Sequence, residues 1–183
     1  MNKPISGLHP AERVRFSSAD FKRMIEAGAF ENMWVELIEG EIERMPPPGN
    51  AHSARQLDLL AGLLAILPKA LIRPEVAIDL GDDTVLGCDA AVLRQPVSGA
   101  GALTPDQIAL VVEVAVSTRE RDLSYKRRRY AAAGIPTYWM VDEERGVVHV
   151  FDRPQEADYL GIDLVRFGAP LAVPGSGETI TLN

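Results

Sequence analysis

The segment "VVEVAVSTRERDLSYKRRRY", from Val111 to Tyr130, joins a predicted buried strand to a predicted charged helix. Its first half belongs to the longer run "IALVVEVAV", a nearly unbroken apolar segment that is typical of a strand covered on both faces. Its second half continues as "RDLSYKRRRYAAAG", which has helical spacing and is expected to end at Gly134. Two charges fall where apolar residues are expected, Glu113 in the strand and Lys126 on the helix.

The carboxylate of Glu113 needs an explanation, because an ionised group in a covered strand costs free energy unless it is paired or binds a metal. A strand end that opens to solvent would explain Glu113 taken alone. A second carboxylate, Asp89, lies in another mainly apolar strand, "LGCDAAVL", between the small residues Gly87 and Ala91. If the two strands are adjacent, both carboxylates can face one pocket, where hard oxygen ligands suit Mg²⁺ or Mn²⁺. A hydrogen-bonded Asp near a strand end is the alternative.

The charge of Lys126 lies on a helical stripe with Leu123, Tyr130 and Ala133. Its long side chain either reaches solvent or points to the pocket of Asp89 and Glu113. In the pocket an ammonium would balance the carboxylates, orient a water molecule and offset phosphate charge in a transition state. Asp122 lies one turn earlier, and it either pairs with Lys126 or sits favourably near the helix N-terminus.

Further polar residues surround these three candidates. Glu36 lies in the predicted hairpin "WVELIEGEIERM", and His52 follows the proline loop at a helix start. Taken alone, Glu36 is explained as a solvent-facing strand residue and His52 as a local hydrogen-bonding residue. The helix arginines form either a solvated face or a set of phosphate contacts, and the candidates for such contacts are Arg119, Arg121, Arg127 and Arg128.

The remaining pattern predicts an α/β fold with a mixed central sheet, flanking helices and additional β-hairpins. The elements follow in the order helix, hairpin, helix, hairpin, strand, helix, hairpin. The second helix, "AHSARQLDLLAGLLAIL", is predicted to be capped by Asn50 and to bury one face, formed by Leu57, Leu60, Leu64 and Leu67. We expect a single domain over residues 1–183, with a core over about 16–152 and a C-terminal β extension over 153–183.

The composition narrows the class of protein. A net charge of −7 argues against non-specific coating of nucleic acid through a basic surface, although a local basic groove or a cation-collecting acidic site remains open. No apolar run is long enough to span a membrane, and the N-terminal segment lacks an apolar signal core. Because Cys88 is the only cysteine, a reducing compartment fits. We therefore expect a cytoplasmic protein without a membrane association.

The order of these motifs resembles the Uma-type putative restriction endonuclease family, long filed as a domain of unknown function, within the PD-(D/E)XK nuclease superfamily. The resemblance is carried by "VELIEGEIERMPPPGNAHS", "CDAAVL" and "LVVEVAVSTRERDLSYKRRRYAAAGIPTYWMVD", and it covers about residues 16–150. It implies a restriction-endonuclease-like core in which Asp89 and Glu113 bind a divalent cation and a lysine assists. The standard motif places that lysine two residues after the Glu, where this chain has Ala115. In families that this chain resembles, the lysine comes from the following helix, and the resemblance therefore implies Lys126 as the candidate.

The resemblance also implies supporting residues. Glu36 and His52 match recurrent polar positions of the family near the same site, where they would support the metal or hold a second one. Asp122 and Tyr130 are further supporting candidates. Two departures are Cys88, which replaces the proline before the Asp, and the missing proline after the Glu strand.

The function that the resemblance implies is hydrolysis of DNA phosphodiester bonds by an endonuclease dependent on Mg²⁺ or Mn²⁺. One alternative is a nuclease fold without catalysis that binds a partner or a DNA end, which the acidic balance favours. Another is a metal-dependent hydrolase of small phosphoesters. Because nucleases that cut both strands often pair two sites, we expect a homodimer.

Overall fold

The computed structural model describes residues 14–116 and 119–183, without the side chain of Arg119. The main strands are β1 (Trp34–Ile38), β2 (Glu41–Met45), β3 (Ile72–Gly81), β4 (Thr84–Leu93), β5 (Ile108–Ala115), β6 (Thr137–Asp142), β7 (Val147–Pro154) and β8 (Tyr159–Arg166). They form one eight-stranded sheet in the order β2-β1-β4-β5-β6-β7-β8, with β3 paired to β4. Two short strands, β9 (Leu171–Ala172) and β10 (Thr179–Ile180), pair with each other.

The sheet is mixed because one of its connections crosses over. β5 and β6 are parallel, and the other neighbouring strands of the sheet are antiparallel. The crossover carries a helical segment made of α3 (Arg119–Arg121), a π-helical turn (Asp122–Lys126) and α4 (Arg127–Ala132). Two further helices, α1 (Ser18–Glu26) and α2 (Asn50–Ile66), complete the fold. The predicted fold class, an α/β structure with a mixed sheet and flanking helices, is confirmed.

Both faces of the sheet are covered, as the apolar run of β5 predicts. One core contains Val111 and Ala115 of β5 together with Tyr130 of α4. The opposite core contains Val112 of β5 together with Leu59 of α2. Strand β5 therefore contributes alternate residues to two cores, and a charged group on either face has to find a partner inside the protein.

The buried face of α2 agrees with the predicted one only in part, since Leu60 and Leu67 pack against the core and the other two predicted leucines do not. Leu57 and Leu64 are 67% and 49% exposed, whereas Leu59 and Leu63 are fully buried. The cap also differs, because Gly49 occupies the N-cap position and Asn50 is the first helical residue.

Polar contacts explain which face of α2 is buried. Arg55 donates to Glu143 at 2.5 Å and to the carbonyl of Asn183 at 2.7 Å, and Gln56 donates to the carbonyl of Asp89 at 2.9 Å. These contacts orient α2 so that the side of the helix that carries residues 55 and 56 faces the sheet. Leucines on both sides of the helix made the two stripes equal candidates by hydrophobicity alone.

The C-terminal segment is only partly an extension. β8 pairs with β7 along its length and so belongs to the main sheet, while β9 and β10 form the separate pair. The division into a core and an extension stays a prediction. Within the part of the chain that the structure describes, no helix is long and apolar enough to cross a membrane.

Candidate active site

The site is built where β4 changes its partner. β3 pairs with one edge of β4 throughout, so β5 and β1 share the other edge. β5 pairs with the part from Ala90 to Leu93, and β1 pairs at Val85. The strands diverge between these two regions, and we call residues 86–89 of β4, with the facing ends of β1 and β5, the fork.

Side chains bridge the fork where main-chain pairing is interrupted. The N–H of Gly87 donates to Oε1 of Glu36 at 3.0 Å, and the carbonyl of Gly87 accepts from Nζ of Lys126 at 2.9 Å. The N–H of Val114 donates to Oδ2 of Asp89 at 2.6 Å. Buried backbone groups have to be paired, so these polar side chains satisfy groups that a continuous ladder would have paired.

Glu113 is buried and accepts two hydrogen bonds on one oxygen. Lys126 Nζ donates to Oε1 at 2.8 Å, and the Tyr130 hydroxyl donates to the same atom at 2.6 Å. Burial raises the pKa of the Glu113 carboxyl well above its ordinary value, and the Lys126 ammonium partly offsets that effect. The two donors lie four residues apart on the helical segment, so both reach the same carboxylate from one helix face.

Lys126 points inward, and the alternative in which it reaches solvent is wrong, because the residue is only 7% exposed. Burial alone would lower its pKa, but the carboxylates of Glu113 and Glu36 raise the pKa of Lys126 above its ordinary value. Oε1 of Glu36 lies 3.4 Å from Nζ. The surrounding carboxylates therefore favour the ammonium form of this side chain.

Asp89 is held on the other side of the fork by His52, the third residue of α2. Nε2 of His52 lies 3.0 Å from Oδ2 of Asp89. This hydrogen bond raises the pKa of His52, although burial opposes the effect. His52 is therefore a partner of the predicted metal ligand rather than an isolated local residue.

Glu36 is buried, which makes its interpretation as a solvent-facing strand residue wrong. Its second oxygen, Oε2, accepts a hydrogen bond from Arg121, whose guanidinium also contacts the sulfur of Met45. Of the four arginines predicted to contact phosphate, Arg121 therefore lies at the site, already paired with a carboxylate.

The other arginine candidates lie elsewhere. Arg127 pairs with Asp158 at 2.5 Å, and its guanidinium lies 5.3 Å from the ring centre of Phe151. Arg128 is exposed. Neither lines the cavity described below. The side chain of Arg119 lies outside the described residues.

The helical segment enters the site through its π-helical turn, which the sequence did not predict. The turn begins with Asp122 and ends with Lys126, and both residues are buried. The N–H of Arg127 donates back to the carbonyl of Asp122, an i to i+5 bond that widens this turn relative to an α-helix. Single π-turns occur frequently at functional sites. Asp122 and Lys126, at the two ends of this turn, line the same cavity.

The fork opens into a cavity of about 740 Å³. That volume is within the ordinary range of ligand pockets. The predicted residues that line it are Glu36, His52, Asp89, Glu113, Arg121, Asp122 and Lys126. Tyr130 contacts the site from behind through Glu113. The apolar part of the lining includes Phe30, Met33, Trp34, Met45 and Pro46–Pro48.

One carboxylate of the cavity, Glu75, is not among the site residues that the sequence predicts. Glu75 lines the cavity from β3 and has a φ of 45°, a left-handed conformation that sequence does not reveal in a residue other than glycine. Its ladder neighbours, Pro74 and Val76, pair with Ala90 and Cys88, so Glu75 lies across from Asp89. A bulge between Asp79 and Gly81 shifts this register by one residue, so counting back from the "GDD" turn would have placed Glu75 opposite Ala90 instead.

A divalent cation requires several side-chain ligands or water molecules around one position. Within residues 14–116 and 119–183, no three His, Cys, Asp or Glu side chains are arranged around a common metal position. The hydrogen bonds of the two carboxylates fall on Oδ2 of Asp89 and Oε1 of Glu113, so within the same part of the chain Oδ1 and Oε2 accept none. Mg²⁺ is commonly held by one or two carboxylates together with water and substrate phosphate, so this pair fits such an ion.

Comparisons with known proteins point to one family. The family model described as "Uma2: Putative restriction endonuclease" matches residues 19–182. The structure is similar to the crystal structure of a protein from Anabaena variabilis described as "a putative nuclease belonging to DUF820", with 22% sequence identity and a TM-score of 0.57. The alignment covers 78% of this chain and 83% of that chain, and it shows a shared fold. No curated protein matches the chain.

Proposed function

The chain belongs to the Uma2 family of putative restriction endonucleases, and from that premise we propose that it hydrolyses DNA phosphodiester bonds with a divalent cation held at the fork. The observation that carries the proposal is the convergence of Asp89, Glu113 and Lys126 on one cavity. A buried carboxylate that shares a cleft with a second carboxylate and an ammonium has the chemistry of a phosphoryl-transfer site.

Asp89 and Glu113 are the residues that would hold Mg²⁺ or Mn²⁺. When bound, such an ion polarises a phosphate oxygen and lowers the pKa of a water molecule. One oxygen of each carboxylate is held by a hydrogen bond from a neighbouring residue, and the other oxygen would bind the ion. His52 keeps Asp89 in place, as a partner behind a metal ligand commonly does.

Lys126 has two roles in the proposal. Its hydrogen bond to Oε1 fixes the rotamer of Glu113, and its positive charge offsets the negative charge of a phosphate that enters the cavity. Tyr130 reinforces the first role from the same helix face. The following helix thus supplies the cation that Ala115 does not.

Glu36 acts as support in this account, and we do not assign it to a second metal. Its Oε1 accepts from Gly87 and its Oε2 from Arg121, so both oxygens are engaged. Arg121 can exchange part of that contact for a substrate phosphate at the cavity wall. Asp122 adds negative charge beside Lys126 and so favours its charged form.

A non-catalytic binding function is the second candidate, and the charge of the cavity favours it. Acidic side chains in the lining number six, against two basic ones, Arg121 and Lys126. DNA is a polyanion, so it would enter such a cavity only when bound cations offset the carboxylates. DNA as a partner, the homodimer and the cytoplasmic location stay predictions.

The test is a cleavage assay on supercoiled plasmid and on a small phosphodiester, with Mg²⁺, with Mn²⁺ and with a chelator. Wild type and the control Glu178→Gln, an exposed residue, should cut plasmid only with a divalent ion. Asp89→Asn and Lys126→Met should lose activity about 100-fold or more. Cleavage of the small ester alone would favour the phosphoester hydrolase, and no cleavage of either substrate would favour the binding function. Equal cleavage by Lys126→Met would place the activity at another site.

A further inference from the structure

The far edge of the main sheet has a surface that the proposed chemistry does not use. β8 is the last strand of the sheet, so its outer main-chain groups have no neighbouring strand within the described residues. Leu160, Ile162 and Leu164 are 63%, 55% and 63% exposed. Alternate residues of a strand lie on one face, so these three large side chains form a continuous apolar stripe beside an open edge.

Edge strands of soluble proteins are usually protected by lysine, proline or a covering element, because an open edge is a template for pairing. The exposed side chains at the centre of β8 include one charge, Asp163, and no lysine or proline. An open edge beside an apolar stripe is suited to pairing with another strand.

The exposed apolar residues of β8 are symmetric about Ile162, because Leu160 and Leu164 lie two residues before and after it. In an antiparallel pair centred on that residue, Ile162 lies opposite Ile162 of the second copy, and Leu160 lies opposite Leu164. Asp158 and Arg166 are equally far from Ile162. Asp158 of one copy therefore lies opposite Arg166 of the other copy. An interface with two-fold symmetry requires this kind of self-complementarity.

The two charges fit the same arrangement. Arg166 is exposed, and its guanidinium makes no ion pair among residues 14–116 and 119–183. The carboxylate of Asp158 is 37% exposed and already holds Arg127 at 2.5 Å. A second copy would bring its Arg166 to the remaining exposed part of this carboxylate, at both ends of the paired strands.

We propose that β8 pairs with β8 of a second copy of this chain, antiparallel and centred on Ile162, to form a dimer with one continuous sheet. Three side chains alone bury less than the ~1,600 Å² of a standard interface, so main-chain hydrogen bonds between the two edges are an essential part of the contact. This inference does not depend on the proposed nuclease chemistry.

The outer face of α2 provides a matched control. Leu64 is also large and apolar, is 49% exposed, and lies on a different surface. Sedimentation of the full chain over a concentration series should show a dimer for wild type and for Leu64→Lys. Ile162→Lys should weaken the dimer by roughly 30-fold or more, as expected for a residue at the centre of an interface. A monomeric wild type, or a dimer that Leu64→Lys disrupts and Ile162→Lys leaves intact, would overturn the proposal.

Cysteine substitution tests the register. Opposite Cα atoms of an antiparallel pair are about 4.5–5.5 Å apart, which is within the range that a disulfide spans. Ile162→Cys should therefore cross-link under mild oxidation. Leu160→Cys should not, because two copies of residue 160 would be separated by about 14 Å along the strands. Cys88 is buried, so the native thiol should stay unreacted in wild type. Equal cross-linking by both variants, or cross-linking by neither, would contradict the proposed register.

Discussion

Lys126 is the residue on which the geometry of the site depends most. Its ammonium donates to Glu113 and to the carbonyl of Gly87, and it lies 3.4 Å from Glu36. One side chain thus connects the helical segment to β1, β4 and β5. A buried charge is stable only with such partners, so the same contacts serve both the stability of the fork and the proposed chemistry.

Removing this ammonium should destabilise the protein. Lys126→Met leaves Glu113 buried without its counter-charge, and we expect a loss of about 3 kcal/mol in the free energy of unfolding. The double variant Lys126→Met/Glu113→Gln should lose less than the sum of the two single variants, because it removes both charges together. Urea denaturation of all four proteins measures this coupling. A loss below about 1 kcal/mol for Lys126→Met would show that the pair contributes little.

The pair of His52 and Asp89 should make stability depend on pH. The folded pKa of His52 is raised, so its stabilising contribution is fully present below the unfolded pKa and is lost as the pH rises through the folded value. In metal-free buffer, wild type should have a larger free energy of unfolding than His52→Gln. The difference between the two proteins should be about 1 kcal/mol larger near pH 5.5 than near pH 8.5. Denaturation of both proteins at the two pH values checks this. A difference between the proteins that stays constant with pH would mean that His52 does not carry the effect.

At the scale of elements, the strands were easier to predict than the helices. The periodicity of two and the "GDD" turn determined β3 and β4, and the apolar run determined β5. The buried face of α2 was predicted only in part, since hydrophobicity favoured two stripes and the polar contacts of Arg55 and Gln56 decided between them. The π-helical turn could not be predicted, because it is a shift in hydrogen bonding without a composition signal.

Alanine substitutions distinguish the two faces of α2. Leu59 is fully buried, so Leu59→Ala should lower the free energy of unfolding by about 2–4 kcal/mol. Leu57 is 67% exposed, so Leu57→Ala should change it by less than about 0.5 kcal/mol. The residues differ by two positions in one helix, which makes them a matched pair for thermal or chemical denaturation. Equal losses would indicate that the outer face of α2 is also covered.

At the scale of the whole molecule, the order of the motifs predicted the family and the fold class, and both are confirmed. The anomalous charges Asp89, Glu113 and Lys126 could be found because burial makes a charge conspicuous in an apolar pattern. Glu75 could not be found in that way, since its place in the cavity depends on a left-handed backbone conformation and on the register of a hairpin. The open edge of β8 is likewise a property of the assembled sheet.

The negative net charge of the protein predicts how its affinity for DNA should depend on divalent ions. With a net charge of −7, it should bind duplex weakly in a chelator, and Ca²⁺ should increase the affinity about tenfold by occupying the carboxylates. Fluorescence anisotropy of a labelled duplex measures both states. The increase should be absent in Asp89→Asn and retained in Glu178→Gln. Binding that is tight without a divalent ion would place the DNA contact outside this cavity.

Calorimetric titration with Mn²⁺ measures whether Asp89 and Glu113 hold a divalent cation at the fork, as we propose. Wild type and Glu178→Gln should bind the ion with the same affinity. Asp89→Asn and Glu113→Gln should each weaken binding by at least about tenfold, because each removes one carboxylate of the pair. Equal binding by all four proteins, or no binding by wild type, would contradict the account.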